Sequence, residues 1–376
     1  MTGTALVVGA GVFGLSVARA LASRGWAVRV LDPDPPGTRG PSAAETRILR
    51  CAHGEDGWYP ALARRATARW RELERESGRR LLLPTGVLTL GPREDDAWER
   101  ASASCLERLG VPVETMPAAA VTRRFPGFDG GRGGTALFEP EAGVLLAREA
   151  VRALAESAAD RGAELLRATA VPRNGTACVD GEPVRADLTV WAVGPALPAL
   201  FPGLTPVRPV RQDSWYVRPR GPWAAADGGQ PAWLDRAHGC YGVPAVGSLG
   251  VKVVPDVETA PDAPTDARPE EVPAALRDYL RTRLPHLAAS SVVRREPCAY
   301  ALSADEHFLL DRHPGRRDVW LVGGDSGHGF KHGPAWGAYV CDVVEGRRAA
   351  SPRFGLGRPG RQLSEGKRLP AAPAQG

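Results

Sequence analysis

Residues 5–8, ALVV, form an unbroken apolar run, which predicts a strand buried on both faces. The period then changes. Leu15, Ala18, Leu21 and Ala22 recur at spacings of three and four until Gly25 interrupts them, and WAVRVLD at 26–32 returns to a strand pattern ending in Asp32. Strand, helix and strand in this order predict a βαβ unit. Similar buried strands are predicted at 188–193 and 319–322, and with 5–8 and 27–31 they make one parallel sheet. Helical periodicity marks 58–77, 94–109 and AREAVRALAESAADRG at 147–162, while 81–91 and 128–145 read as turn-rich strands. Between 193 and 319 lies a long stretch of short strand patterns, prolines and tryptophans. It cannot extend a parallel sheet and predicts a second layer. The acidic, proline-rich tract 255–275 reads as an exposed excursion or helix lead-in. The Gly-, Pro- and Arg-rich tail after about 352 is expected to be poorly ordered.

The first helix opens on Gly9-Ala-Gly11-Val12-Phe13-Gly14, directly after the first strand. Gly9 permits the tight turn, Gly11 lets backbone N–H groups approach a pyrophosphate at the positive helix N-terminus, and Gly14 allows close packing of helix on strand. Asp32 would accept from ribose hydroxyls. One dinucleotide is expected, and the fingerprint leaves NAD and FAD open.

Composition narrows the class. At 376 residues and 43% hydrophobic content two globular domains are expected. The formal charge of +5 is spread along the chain, which gives no support to nucleic-acid binding. No apolar stretch approaches the ~18 residues needed to span a bilayer, so a soluble, cytoplasmic protein without a membrane role is expected. Six cysteines carry no CxxC pair and His307, His313, His328 and His332 match no ligand spacing, so neither a disulfide framework nor a metal is expected. Among 48 basic residues only Lys252, Lys331 and Lys367 are lysines. A compact ammonium approaches a small ligand in a way a planar guanidinium does not.

The fingerprint with Asp32, SAAETRILRCAHGE at 42–55, YGVPAVGSLGVKVV at 241–254, CAYALSADEHFLLDRHP at 298–314 and GDSGHGFKHGP at 324–334 resemble the flavoprotein amine oxidases, nearest to those of the monomeric sarcosine oxidase and N-methyltryptophan oxidase type. The resemblance implies an α/β protein. A Rossmann-like FAD-binding domain of the glutathione-reductase type (1–82, 146–208 and 305–355) would be interleaved with an α+β substrate domain on a mainly antiparallel sheet (83–145 and 209–304), followed by a tail, 356–376. It also implies FAD bound through Cys298, to whose sulfur the flavin's 8-methyl carbon is attached. Besides the glycines and Asp32, it places Val12, Phe13, Ser42, Thr46, Arg47, Val171, Ala192, Gly194, Gly324, Gly327, His328, Gly329 and Lys331 at the cofactor. Lys252 matches a lysine that activates dioxygen, Arg47 an arginine beside the flavin ring, and Tyr241 and Tyr300 active-site tyrosines. Arg50 and Lys331 match the pair that grips the substrate carboxylate.

The activity so implied is oxidation of a carbon–nitrogen bond to an imine, with dioxygen reduced to hydrogen peroxide by a monomeric enzyme. This chain departs from sarcosine oxidases at Ala43 and Asp256, where they carry histidines, and at Asp325, which is apolar or aromatic in many relatives. A secondary or cyclic amino acid is therefore expected as substrate, with Trp215, Trp223 and Trp233 as candidate walls for a larger ring. The alternatives are a demethylating oxidase of sarcosine or another N-methyl amino acid, and a flavin-dependent dehydrogenase that passes electrons to another acceptor.

Overall fold

The computed structural model describes residues 3–131, 133–225, 229–261 and 272–358. Its central sheet has six strands in the order Leu309–His313, Arg316–Gly323, Leu188–Trp191, Thr4–Val8, Ala27–Asp32, Glu164–Arg167. All neighbours are parallel except the hairpin of Leu309–His313 with Arg316–Gly323. The four strands predicted from apolar runs form its middle, where both faces are covered. Glu164–Arg167 is largely exposed at the edge, so its sequence carries no such run.

Helix Val12–Ala22 covers one face and packs on helix Gly333–Val344. Glycine sets that contact: a Cβ on Gly337 would lie 2.4 Å from the Ser16 carbonyl oxygen. Trp336 fills the space beside it, fully buried. The predicted helices appear at Trp58–Ser77, Ala97–Arg108 and Ala147–Ala159.

The second sheet has eight strands and is antiparallel apart from one pair, Ala232–Asp235 with Val87–Leu90. Two of its strands differ from the short ones expected: Val207–Val217 and Val292–Ser303 span 11 and 12 residues and pair along their length, Val207 opposite Ser303. Polar interruptions such as Arg211-Gln212-Asp213 and prolines 209 and 297 hide them in the sequence. Trp215, Trp223 and Trp233 are buried in the core beneath this sheet, Trp223 donating to Gly127 O at 3.1 Å and Trp233 to the Tyr279 hydroxyl at 2.9 Å. They support the sheet, which corrects the expectation of a tryptophan-walled pocket.

Pro255 ends a strand and helix Ala274–Arg283 follows the tract read as an excursion or helix lead-in, of which 262–271 lie outside the described residues. The tail expected to be loose is tied down as far as Arg358, with Phe354 fully buried and Arg358 paired to Asp305 at 2.6 Å. Residues 359–376 lie outside the described ones. Among the described residues no helix is long and apolar enough to cross a membrane.

Candidate functional site

The glycine fingerprint closes where the carboxyl ends of the central strands meet the first helix. Gly9 has φ +107°, and a Cβ there would sit 2.4 Å from Ala192 O; one on Gly14 would sit 1.9 Å from Gly9 O. Neither position tolerates a side chain. Ser42 Oγ accepts from Val12 N at 3.0 Å. Asp32 accepts from Ala10 N at 2.7 Å through Oδ2 and from Asp34 N at 2.9 Å through Oδ1. The carboxylate thus braces the turn, and each oxygen keeps a second lone pair for a ligand hydroxyl.

A cavity of about 420 Å³ opens here, lined by Gly9, Gly11, Val12, Phe13, Asp32, Ser42, Val171, Ala192, Gly194 and Gly324. Glycine N–H groups and a helix N-terminus on one wall suit a pyrophosphate. Gly14 and Gly329 act differently, as packing positions: a Cβ on Gly329 would lie 2.8 Å from the Phe13 ring. A 3₁₀ turn, Phe330–His332, separates the glycine-rich run 323–329 from the helix that begins at Gly333.

Val12, Pro41, Ser42 and Asp325 also line a second cavity, of about 180 Å³. Its walls bring together Thr46, Arg47, Arg50, Tyr241, Lys252, Cys298, Tyr300, Gly327, His328 and Lys331. These come from the strand Thr46–Leu49, the long strand Val292–Ser303, two middle strands of the large sheet and the loop into the last helix. Cys298, among the described cysteines, is the one not buried. Arg47 Nη2 donates to its sulfur at 3.2 Å and Nη1 to Thr46 O at 2.9 Å. Tyr241 donates to Gln212 Oε1 at 3.0 Å, and Gln212 Nε2 donates to Asp256 Oδ1 at 2.5 Å. Asp325 Oδ1 accepts from Ala301 N at 3.1 Å, binding the glycine loop to the long strand.

Four cations face this space against two carboxylates, Asp256 and Asp325. Lys252 is 5% exposed and Lys331 is 4% exposed. Burial, and next the neighbouring Arg47, push the Lys252 ammonium down to about 8. Burial and the nearby Arg50 hold Lys331 well below the usual lysine value. A cavity that penalises its own cations gains most from an incoming anion.

Arg50, Leu234, Tyr241, Asp256 and His328 are shared with a third cavity, of about 320 Å³, which extends past His53, Tyr59 and Trp98. The guanidinium groups of Arg50, at 5.9 Å, and Arg236, at 4.7 Å, both lie over the Trp98 ring. His328 Nε2 is 3.0 Å from Glu306 O, and its ring packs edge-on to Tyr59 and stacks on Phe308. The sequence reading missed His53, Trp98, Gln212 and Glu139. His53 follows Arg50 by three residues inside a block already singled out, which was the available signal. The other three lie far from the motifs, and only folding brings them to the site.

The family model for FAD dependent oxidoreductases matches residues 4–343. The chain is 30% identical over 356 residues to the monomeric sarcosine oxidase of a Bacillus species, covering 90% of this chain and 91% of that one. It is 29% identical over 349 residues to N-methyl-L-tryptophan oxidase of Yersinia pestis, covering 88% and 92%. Among solved structures, L-proline dehydrogenase from P. horikoshii superposes with a TM-score of 0.78 at 21% identity, over 94% of this chain and 96% of that one.

Proposed function

The chain belongs to the FAD-dependent oxidoreductase family, and from that premise we propose that it oxidises the carbon–nitrogen bond of a secondary or cyclic amino acid to an imine, with dioxygen reduced to hydrogen peroxide. The residues fit FAD: the glycine-walled cavity takes the ADP half, and its junction with the cationic cavity through Ser42 and Asp325 takes the ring. When bound, the flavin supplies a two-electron acceptor for the hydrogen on the carbon beside nitrogen. The sheet division supports the interleaved domains read from the sequence, with the cofactor on the parallel sheet and the substrate under the antiparallel one.

The single observation that carries this reading is the convergence of two of the chain's three lysines, both buried, with Arg50 on one cavity. Arg50 and Lys331 grip the substrate carboxylate, and this fixes the position of the reacting carbon. The same positive field favours the neutral amine, the form able to react. Lys252 stands apart from that pair, donating to Thr46 O at 3.4 Å, and stabilises negative charge developing on dioxygen. The substrate gives up two electrons and two protons to become an imine, and dioxygen takes both pairs to become peroxide. Cys298, whose sulfur lines the cavity, would hold the flavin through a thioether at its 8-methyl carbon. The third cavity leaves room for a substituent larger than a methyl group. A monomer acting on a small molecule accords with the sarcosine oxidase relatives.

A peroxide-coupled screen of N-methyl and cyclic amino acids tests the proposal. Peroxide formed with at least one of them is the expected result. Reduction of the flavin without oxygen uptake would move the protein to the dehydrogenases, and a colourless purified protein would remove the flavin altogether.

A further inference from the structure

His53 stands behind Lys331, on the side of the third cavity. Its Nδ1 lies 3.0 Å from Cys51 O. A carbonyl oxygen only accepts, so Nδ1 carries the proton and Nε2 presents a lone pair. Lys331 Nζ, 3.4 Å from that Nε2, has hydrogens alone to offer. The contact therefore runs from lysine to imidazole.

The acceptor is mounted rigidly. Glu139, 2% exposed, takes the N–H groups of Cys51 at 2.7 Å and Ala52 at 3.2 Å in its two oxygens. One buried carboxylate thus fixes the loop that carries Arg50 on one side and His53 on the other. The imidazole is stacked on Tyr59 at 5.4 Å and meets His328 and His332 at 5.4 and 5.7 Å. Burial, then Lys331 and Arg50, hold His53 well below the usual histidine value, so it stays neutral and keeps its lone pair.

Three imidazoles whose ring nitrogens lie within 4.8 Å of one another could suggest a metal site. The charges argue otherwise. The His53 lone pair already faces an ammonium, Arg50 adds a second cation, and among the described residues no carboxylate joins the ring nitrogens as a ligand. A dication there would meet uncompensated positive charge.

We propose that His53 is a positioning residue for the carboxylate grip: locked by the Cys51 carbonyl as the Nδ1–H tautomer, it accepts from Lys331 and holds that ammonium in line with Arg50. Lys331 has a long, rotatable stem, and an acceptor behind it selects the rotamer that reaches the cavity. The inference rests on the assignment of Arg50 and Lys331 to the substrate carboxylate.

Benzoate titrated into the flavin-loaded protein, read by the flavin absorbance change and by calorimetry, probes the grip directly. His53→Phe keeps the ring and removes the acceptor, whereas His53→Gln keeps an acceptor at the same reach. We expect His53→Phe to weaken benzoate about tenfold, the size of one hydrogen bond to a charged group, and His53→Gln to stay within about threefold of the parent. Flavin content stays unchanged in both. If His53→Phe binds benzoate like the parent while Lys331→Met does not, the positioning role is overturned and the grip stands. Equal losses in His53→Phe and His53→Gln also overturn it, since packing would then be the cause. If Lys331→Met itself binds benzoate normally, the grip assignment fails.

Discussion

Arg47 and Cys298, 251 positions apart in the chain, meet across 3.2 Å, the guanidinium donating to the sulfur. A further N–H from the same Nη2 goes to Pro41 O at 2.5 Å, so the arginine is fixed before any ligand arrives. The sulfur that reaches the cavity thus has a cation held beside it. We expect yellow colour to remain with acid-precipitated protein. Cys298→Ser should release all of it into the supernatant while the folded variant still binds FAD. Free flavin from the unmutated protein would falsify the thioether.

Gly14 gives a separate test of the nucleotide cavity. Its missing Cβ leaves 1.9 Å to Gly9 O, an approach no side chain permits. Gly14→Ala must push the first helix off its strand and misplace the N–H groups at residues 11 and 12. The variant should be colourless or unfolded, whereas Gly78→Ala, left-handed at φ +65° with nothing within 4 Å of its Cβ, should cost only about 1 kcal/mol of backbone strain and keep its flavin. A yellow Gly14→Ala protein would disconnect the fingerprint from the cofactor.

The nucleotide half of the fold was legible because its signals are local. Residues 5–32 carry strand, turn, helix and terminal acid within one short segment, and fully buried parallel strands show as apolar runs. The second sheet was legible only in outline. Val207–Val217 pairs with Val292–Ser303 across some 80 residues, and nothing near Gln212 announces that its amide will link Tyr241 to Asp256. Lysine scarcity marked Lys252 and Lys331, but the parts that aim Lys331 come from Glu139 and His53, whose contacts are long-range. The tryptophans misled for a related reason. A large apolar ring reads the same in a pocket wall and in a core, and here Tyr279 and Gly127 supply the hydrogen-bond partners that allow burial.

Gln212 holds two walls of the site at once, accepting from Tyr241 and donating to Asp256 while only 4% exposed itself. Gln212→Leu fills the same space and removes the hydrogen bond that each of the two makes to it, at a cost of about 0.5–1.5 kcal/mol for each bond. Tyr241 and Asp256 line the boundary between the cationic and the outer cavity. We therefore expect kcat/KM to fall by roughly 10 to 100-fold with flavin content unchanged. The loss should be larger for bulky N-substituted amino acids than for sarcosine. An equal loss on all substrates would show that the pair does not border the substituent.

The ammonium of Lys252 sets a pH dependence whose sign follows from its surroundings. Burial first, and Arg47 second, lower it from the ordinary 10.5 to about 8, with Cys298 and Glu296 opposing. The charged form is therefore present below about 8 and lost above it. If that charge stabilises the negative charge transferred to dioxygen, the rate at which air restores the yellow colour of dithionite-reduced protein should be high at pH 6 to 7 and fall as pH rises through about 8. Lys252→Met should be slower by roughly a hundredfold or more at pH 7 and should show no such fall. Stability should move the other way, because the folded state binds fewer protons than the unfolded chain between about 8 and 10.5 and gains with pH across that window. A fall of the same steepness in Lys252→Met would assign the titration to another group and remove Lys252 from the oxygen reaction.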